Sequence, residues 1–372
     1  MVELYPGISG SFVVNIRTLP IKAMWWREEC PVYHPYLLMS YGLFKEILKD
    51  DKQALNEARK FLHVPDNAHV MLDSGGFQVV LGKDLDPNEV LMWQINNSSS
   101  NDVVVPLDIP VSPDLDDVDH VVKHASKTAK NIELWIKKFD KLNNKTQILV
   151  PLHGYSNKTV EIWWKHVKEY VDITKSVALG GLAIAKSSVL KTNFSFVKTL
   201  LTKMKLALEN KVDYIHVFGV GGKFSIAYLF YLEDLTKIRF SYDTSKFSLL
   251  VAKGTLMFPQ DPFKNVRKFF RSKRYKDVEL PCHCPACRTF LNSKIPKISA
   301  YTHHVHFAVT LHNLYQYLSY YDKMWWLKLL GRLEGYIVRS FDEGDKIVSF
   351  TKDFLKGRIT DIDDRKDLRR WL

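Results

Sequence analysis

Short apolar runs alternate with longer amphipathic stretches along most of this chain. The runs Ser11–Ile16, Pro35–Tyr41, His69–Asp73, Val103–Asp108, Ile148–His153, Val177–Ala183, Tyr214–Gly219 and Lys237–Asp243 predict eight strands. Most are apolar throughout rather than alternating, the pattern of parallel strands covered on both faces. Leu43–Phe61, Val118–Phe139, Thr159–Ile173, Phe194–Glu209 and Lys223–Leu232 place apolar residues three and four apart and predict helices. Eight strands with helices between them argue for an α/β fold of the (β/α)8 TIM-barrel type, with a doubly wound open sheet as the alternative. The first strand is the weakest of the eight, because Arg17–His34 does not form a clean helical pattern after it.

Beyond Asp243 the alternation stops. Phe263–Lys276 is strongly basic, with Lys264, Arg267, Lys268, Arg271, Lys273, Arg274 and Lys276 around Phe269 and Phe270. A cysteine cluster follows, then a long helical stretch from about Ala300 to Leu330 and a charged tail, Ser340–Leu372. The expected division is a barrel over residues 1–260, a metal-binding region with closing helices over 261–338, and a charged segment over 339–372. Of 372 residues, 46% are hydrophobic and 25% charged, ordinary globular composition with ample material for a core. A formal charge of +12 suits a polyanionic partner, since neutralising phosphates releases counterions. In that reading Lys246, Lys253, Arg267, Lys268, Arg271, Lys273 and Arg274 contact nucleic acid; otherwise they form a solvated basic face. No apolar stretch is long enough to span a membrane, and the N-terminus lacks the basic start and apolar run of a signal peptide.

Polar residues gather where the predicted strands end. The third strand ends in Asp73-Ser74-Gly75-Gly76-Phe77-Gln78, the fourth in Asp108, the fifth in His153-Gly154 and the last in Asp243; Gly180-Gly181 and Gly219-Val220-Gly221-Gly222 lie between. In a barrel those ends form one face, where chemistry collects. One aspartate there is easily a helix cap. Three, with glycines that let a ligand approach the backbone, indicate a site. Paired carboxylates suit reaction at a glycosidic carbon, one attacking and the other moving a proton at the leaving group, while a third can accept from N–H donors on a purine edge. Cys282-x-Cys284-x-x-Cys287 is a compact thiolate cluster that needs a fourth ligand for a closed zinc site. His303, His304, His306 and His312 follow, and spacing does not choose among them. Clustered thiols of this kind belong to a reducing, cytoplasmic setting.

Taken together, these strings resemble the tRNA-guanine transglycosylase superfamily, including its DNA-acting deazaguanine branch. The carriers are Asp73-Ser74-Gly75-Gly76-Phe77-Gln78, Gly180-Gly181-Leu182-Ala183, Gly219-Val220-Gly221, Asp243 with Gly254-Thr255-Leu256 eleven residues on, the cysteine cluster and Leu311-His312-Asn313-Leu314. The resemblance implies a barrel with a structural zinc insertion near the last strand, His312 being the fourth ligand. It implies Asp243 as nucleophile at C1′, Asp73 as general acid/base and Asp108 as the reader of a guanine-like edge. Phe77 and Phe218 would sandwich the base, Gly181 and Leu182 would offer backbone contacts, and Ser74, Gln78 and His153 would complete the pocket. Its partners would be a nucleic acid and a free 7-deazaguanine such as preQ0, and it could pair as a homodimer through the zinc region. Departures concern recognition. The Pro-Thr-Arg step that reads tRNA after the nucleophile is absent from Asp243-Thr244-Ser245-Lys246-Phe247-Ser248, His153 replaces the family's pocket glutamine, and Ile109-Pro110-Val111 follows Asp108. These favour DNA over tRNA as target. A non-catalytic nucleic-acid-binding subunit is the reading from another class.

Overall fold

The computed structural model describes residues 2–111, 117–142, 145–182, 192–258, 263, 266–268, 278–279, 282–291, 294–295 and 303–359, with backbone alone at 77, 266–268, 278–279, 294–295 and 303–305. Nine strand segments build a closed parallel barrel: β1 (Glu3–Pro6), β2 (Tyr36–Ser40), β3 (His69–Asp73), β4 (Val103–Val104), β5 (Gln147–Ile148), β6 (Val150–Leu152), β7 (Ser176–Leu179), β8 (Tyr214–Val217) and β9 (Arg239–Thr244). One run pairs in the order β2-β3-β4-β5 and the other as β1-β9-β8-β7-β6. Segments β5 and β6 occupy one position in the ring, separated only by Leu149, whose N–H donates to the Val104 carbonyl at 2.9 Å. The other seam closes where Ile8 N–H donates to the Leu38 carbonyl at 3.1 Å beside a parallel Gly7–Leu38 bridge. That closure excludes the open sheet.

The first strand is a correction. Ser11–Ile16 is not a strand: α1 (Gly10–Asn15) covers it, and the strand is Glu3–Pro6. Two adjacent valines favour extended chain locally. Burial follows a helical stripe instead, with Phe12, Val13 and Ile16 inside and Val14 66% exposed. Two 3-10 turns, Ile16–Thr18 and Ile21–Ala23, carry the chain on to β2. The helix expected over Leu43–Phe61 is three short ones, α2 (Tyr41–Ile47), α3 (Lys52–Asn56) and α4 (Ala58–Phe61). Asp51 starts the second by accepting the Ala54 N–H at 3.0 Å.

The remaining helices of the ring are α5 (Gly76–Val80), α6 (Pro87–Asn97), α7 (Val118–Lys141), α8 (Asn157–Thr174), α9 (Asn193–Glu209), α10 (Lys223–Thr236) and α11 (Lys246–Ala252). Side chains set their starts: Asp117 caps α7, while Ser156 with Thr159 and Thr192 with Ser195 make reciprocal boxes at α8 and α9. Beyond β4 the Val105 N–H still donates to the Leu72 carbonyl at 3.1 Å, and the buried Gln94 amide of α6 adds two bonds, its Nε2 donating to the carbonyls of Leu72 (2.8 Å) and Val105 (2.9 Å). Asp108 then reaches the barrel mouth, while Leu107 packs in the core with Trp93 and Trp135.

After the barrel come β10 (Thr255–Met257), β11 (Val266–Lys268), β12 (Val278–Glu279), a π turn at Cys287–Leu291, β13 (Lys294–Ile295), the 27-residue α12 (His303–Leu329), α13 (Leu333–Ser340) and α14 (Gly344–Leu355). β10 pairs antiparallel with β11, and β12 with β13. No helix among the described residues is long and apolar enough to cross a membrane.

Candidate active site and metal centre

The carboxyl ends of the strands enclose one cavity of about 190 Å³, lined by Leu38, Asp73, Gly76, Asp108, Pro110, His153, Gly180, Gly181, Phe218, Gly219 and Asp243. That is below the ~300–1,000 Å³ of clefts for drug-sized ligands and suits a single small ring system. Three aspartates from separate stretches of sequence therefore share one concavity.

Their surroundings differ. Asp73 ends β3 and faces the other two carboxylates. Burial, with the charges of Asp108 and Asp243 behind it, pushes its carboxyl up to about 7, against a nearby Ser40 hydroxyl and the Gly75 N–H at 3.1 Å, which favour the ionised form. Its proton is thus held far more firmly than that of an ordinary aspartate. Asp108 is clamped: Ser74 donates to Oδ1 at 3.2 Å and His153 Nε2 lies 2.7 Å from Oδ2. Facing a carboxylate, that nitrogen is the donor, and Nδ1 is buried with no partner among the described residues. The Trp163 ring packs against the imidazole, 4.8 Å between centroids. Asp243 presents Oδ1 to two donors, Gly219 N–H at 2.7 Å and His216 Nε2 at 3.3 Å.

Two glycines are needed for space. A Cβ on Gly76 would stand 2.1 Å from Asp108 Oδ1, and one on Gly180 2.1 Å from His153 Cε1. The floor beyond Gly180 is held by side chains that the sequence did not single out. Lys203, fully buried on α9, donates to the Gly180 carbonyl at 3.0 Å, and Tyr155 donates to the Gly181 carbonyl at 3.1 Å.

Of the residues expected at the site, Asp73, Asp108, His153, Gly181, Phe218 and Asp243 meet at the cavity wall. Ser74 is buried behind Asp108, and Leu182 is buried in the core. Gln78 packs on the Gly42 backbone rather than on the wall. The Phe77 side chain lies outside the described residues, as do Arg271, Lys273 and Arg274. Arg267 and Lys268 are described by backbone only, in β11. Lys253 is exposed, and Lys246 opens α11 with its Nζ 5.0 Å from the Phe263 ring centre.

A second cluster lies beside the barrel. One donor atom each from Cys282, Cys284, Cys287 and His312 fall within 4.8 Å of one another, all buried. His312 Nδ1 stands 3.4 Å from Cys284 Sγ and 3.1 Å from Cys287 Sγ, while Nε2 lies 2.7 Å from the Met257 carbonyl. A carbonyl obliges Nε2 to donate, leaving the Nδ1 lone pair for a metal. The cysteines have the supporting contacts that thiolates need: Gln316 donates to Cys282 at 3.3 Å, and the N–H groups of Cys284 and Cys287 donate to Cys282 and Cys284, each at 3.4 Å. Three thiolates and one imidazole fit a metal such as zinc, in a closed tetrahedral site. The fourth cysteine, Cys30, is apart from the cluster, and burial pushes its thiol up to about 11. The neighbour of His312 does equal work. Asn313 accepts the Met257 N–H at 2.9 Å and donates to the carbonyls of Phe247 and Thr255, tying α12 to β10 and to the helix that follows Asp243.

A family model described as queuine tRNA-ribosyltransferase matches residues 27–325. The chain belongs to this family. The tRNA-ribosyltransferase match spans every residue of the cavity wall and all four metal-site donors, and leaves out β1. No curated protein matches the chain. Membership places the chemistry among the guanine transglycosylases of nucleic acid, glycosyltransferase-type enzymes that also handle a free base.

Proposed function

We propose that this chain replaces guanine in DNA by a free 7-deazaguanine such as preQ0, through an ester of Asp243. The observation that carries the reading is the convergence of Asp73, Asp108 and Asp243 on one small cavity. In this reading the target nucleotide leaves its stack and its base enters the cavity, against Phe218 and Phe77. Asp108, held by Ser74 and His153, accepts from the N–H donors of the guanine edge, and the backbone at Gly181 and Leu182 lines the same slot. An Asp243 oxygen attacks C1′; the C1′–N9 electron pair leaves with guanine, and Asp73 supplies the proton that neutralises it. Guanine departs and the deazaguanine enters. Asp73 takes its ring proton, the nitrogen attacks C1′, and the Asp243 carboxylate is released. A carboxyl poised at about 7 can give a proton in one half and receive it in the other. Zinc at Cys282, Cys284, Cys287 and His312 would brace α12 against β10 and supply no reactive group. Lys246, Lys253 and the basic stretch containing Arg267, Lys268, Arg271, Lys273 and Arg274 would meet phosphates, and the zinc region would also serve a homodimer.

DNA is favoured because Thr244-Ser245-Lys246 stands where tRNA enzymes have their anticodon-reading step, and Lys246 already opens a helix. Membership of a queuine tRNA-ribosyltransferase family favours the second reading, a tRNA substrate. Duplex DNA and folded tRNA, each with radiolabelled guanine, are incubated with the protein and preQ0. Label released from DNA supports the proposal; label released from tRNA alone sinks the DNA assignment and leaves the base-exchange chemistry standing.

A further inference from the structure

Directly beneath the cavity a polar pair sits inside the barrel, above the Tyr5 and Tyr214 hydroxyls that reach Glu3. His216 on β8 and Ser241 on β9 are both fully buried. They occupy the inward positions two residues before Phe218 and Asp243. His216 Nδ1 is 2.8 Å from Ser241 Oγ, and Nε2 is 3.3 Å from Asp243 Oδ1. Phe218 packs edge-on against the imidazole at 4.5 Å, and the Tyr5 ring stands 6.3 Å away. A buried histidine is more often a satisfied core residue than a working one. Here each ring nitrogen faces a polar atom of defined role, and one of those atoms belongs to a carboxylate on the cavity wall. The carboxylate fixes Nε2 as the donor, so Nδ1 must accept and the Ser241 hydroxyl must donate.

Resting on the reading of Asp243 as nucleophile, we propose that His216, its ring oriented by the Ser241 hydroxyl, is a positioning residue that pins Asp243 Oδ1 and turns Oδ2 towards the sugar. Gly219 N–H shares the task at 2.7 Å. The proton stays on Nε2 throughout. As Oδ2 bonds to C1′, the C1′–N9 pair goes to guanine with the Asp73 proton, and Oδ1 becomes the ester carbonyl, still facing two donors. In the second half the incoming base attacks C1′, the C1′–Oδ2 pair returns to the carboxylate, and the donors stabilise that returning charge. Neither His216 nor Ser241 belongs to the strings on which the family resemblance rests.

The test is the single-turnover rate at which full-length protein forms a denaturation-resistant adduct with whichever nucleic acid releases guanine. His216→Leu, His216→Gln and Ser241→Ala are compared, with guanine affinity, near-ultraviolet circular dichroism and zinc content measured on each. Removing one preorganised donor typically costs ~10²-fold in rate. His216→Leu is therefore expected to slow the adduct by about that factor at unchanged guanine affinity. His216→Gln, whose amide N–H can reach Oδ1, should recover roughly tenfold, and Ser241→Ala should lose roughly tenfold, both within the span that one donor sets. A folded His216→Leu at the wild-type rate overturns the proposal. Equal slowing of the leucine and glutamine variants also overturns it, because packing alone would then account for the loss. Should His216→Leu fail to fold, Ser241→Ala decides, and a wild-type rate overturns it. An adduct that survives Asp243→Ala, or a wild type that forms none, defeats the reading of Asp243 itself, a result the His216 variants cannot imitate.

Discussion

Replacing Asp73 by asparagine keeps the side chain's shape and its acceptor for the Gly75 N–H while removing the ionisation. The wild-type carboxyl is held at about 7 instead of 3.8, and each tenfold change in acidity is worth ~1.4 kcal/mol. Ionising Asp73 in the folded protein therefore costs at most about 4 kcal/mol; solvent reaching the cavity brings the working figure to about 2 kcal/mol. The sign follows from linkage. Below pH 4 the group is protonated in both states and costs nothing. As pH rises from about 4 to about 7 the unfolded chain gives up the proton while the folded chain keeps it, so wild-type stability falls; above 7 the loss is constant. The asparagine side chain has no such slope. Urea denaturation at pH 5, 6, 7 and 8 should show Asp73→Asn becoming progressively more stable than wild type, with most of the gap open by pH 7 and a plateau beyond. Metal release at low pH affects both proteins and cancels in the difference. Parallel stability curves across this range would refute the claim that Asp73 is a raised acid. The same substitution should slow adduct formation by ~10²–10⁴-fold, the usual worth of a general acid.

Gly180→Ala should push the His153 ring off Asp108, since the added Cβ would lie 2.1 Å from Cε1; calorimetry should find guanine affinity reduced at least about tenfold, the ~1.4 kcal/mol that loss of one good hydrogen bond represents, and unchanged affinity would contradict the role given to His153. Cys287→Ser should reduce bound zinc below one equivalent by plasma mass spectrometry and lower the melting temperature; full zinc content would show that Cys287 is not a donor. Arg59→Ala should destabilise the fold by ~3–5 kcal/mol in urea, because it strips the fully buried Asp102 carboxylate, just before β4, of its ion pair; a loss under about 1 kcal/mol would mean that Asp102's remaining hydrogen bonds suffice.

The barrel was legible where strands are covered on both faces: His69–Asp73 is apolar until its last residue, and the structure begins and ends β3 there. It was not legible at β1, where four residues bounded by Glu3 and Pro6 carry less apolar signal than the helix after them. Nor could sequence show that the Val105 carbonyl is taken by Gln94, a polar residue inside a helix. The aspartates and the cysteine cluster stood out because such groups at strand ends, or in so tight a spacing, have few other uses. His216, Ser241 and Lys203 did not. Each acquires its partner only when distant stretches of the chain come together. For His216 one signal existed: Tyr214, His216 and Phe218 share a face with a strand whose corresponding face carries Ser241 and Asp243.

The central claim is that Asp243 becomes covalently joined to the sugar while guanine departs. Wild-type protein mixed with duplex DNA, and separately with tRNA, is denatured, digested and sequenced by mass spectrometry. The account predicts a nucleic-acid-linked peptide containing Asp243, formed as guanine is released and absent from Asp243→Ala. A linkage mapped to another residue, or guanine release undiminished in Asp243→Ala, would contradict it.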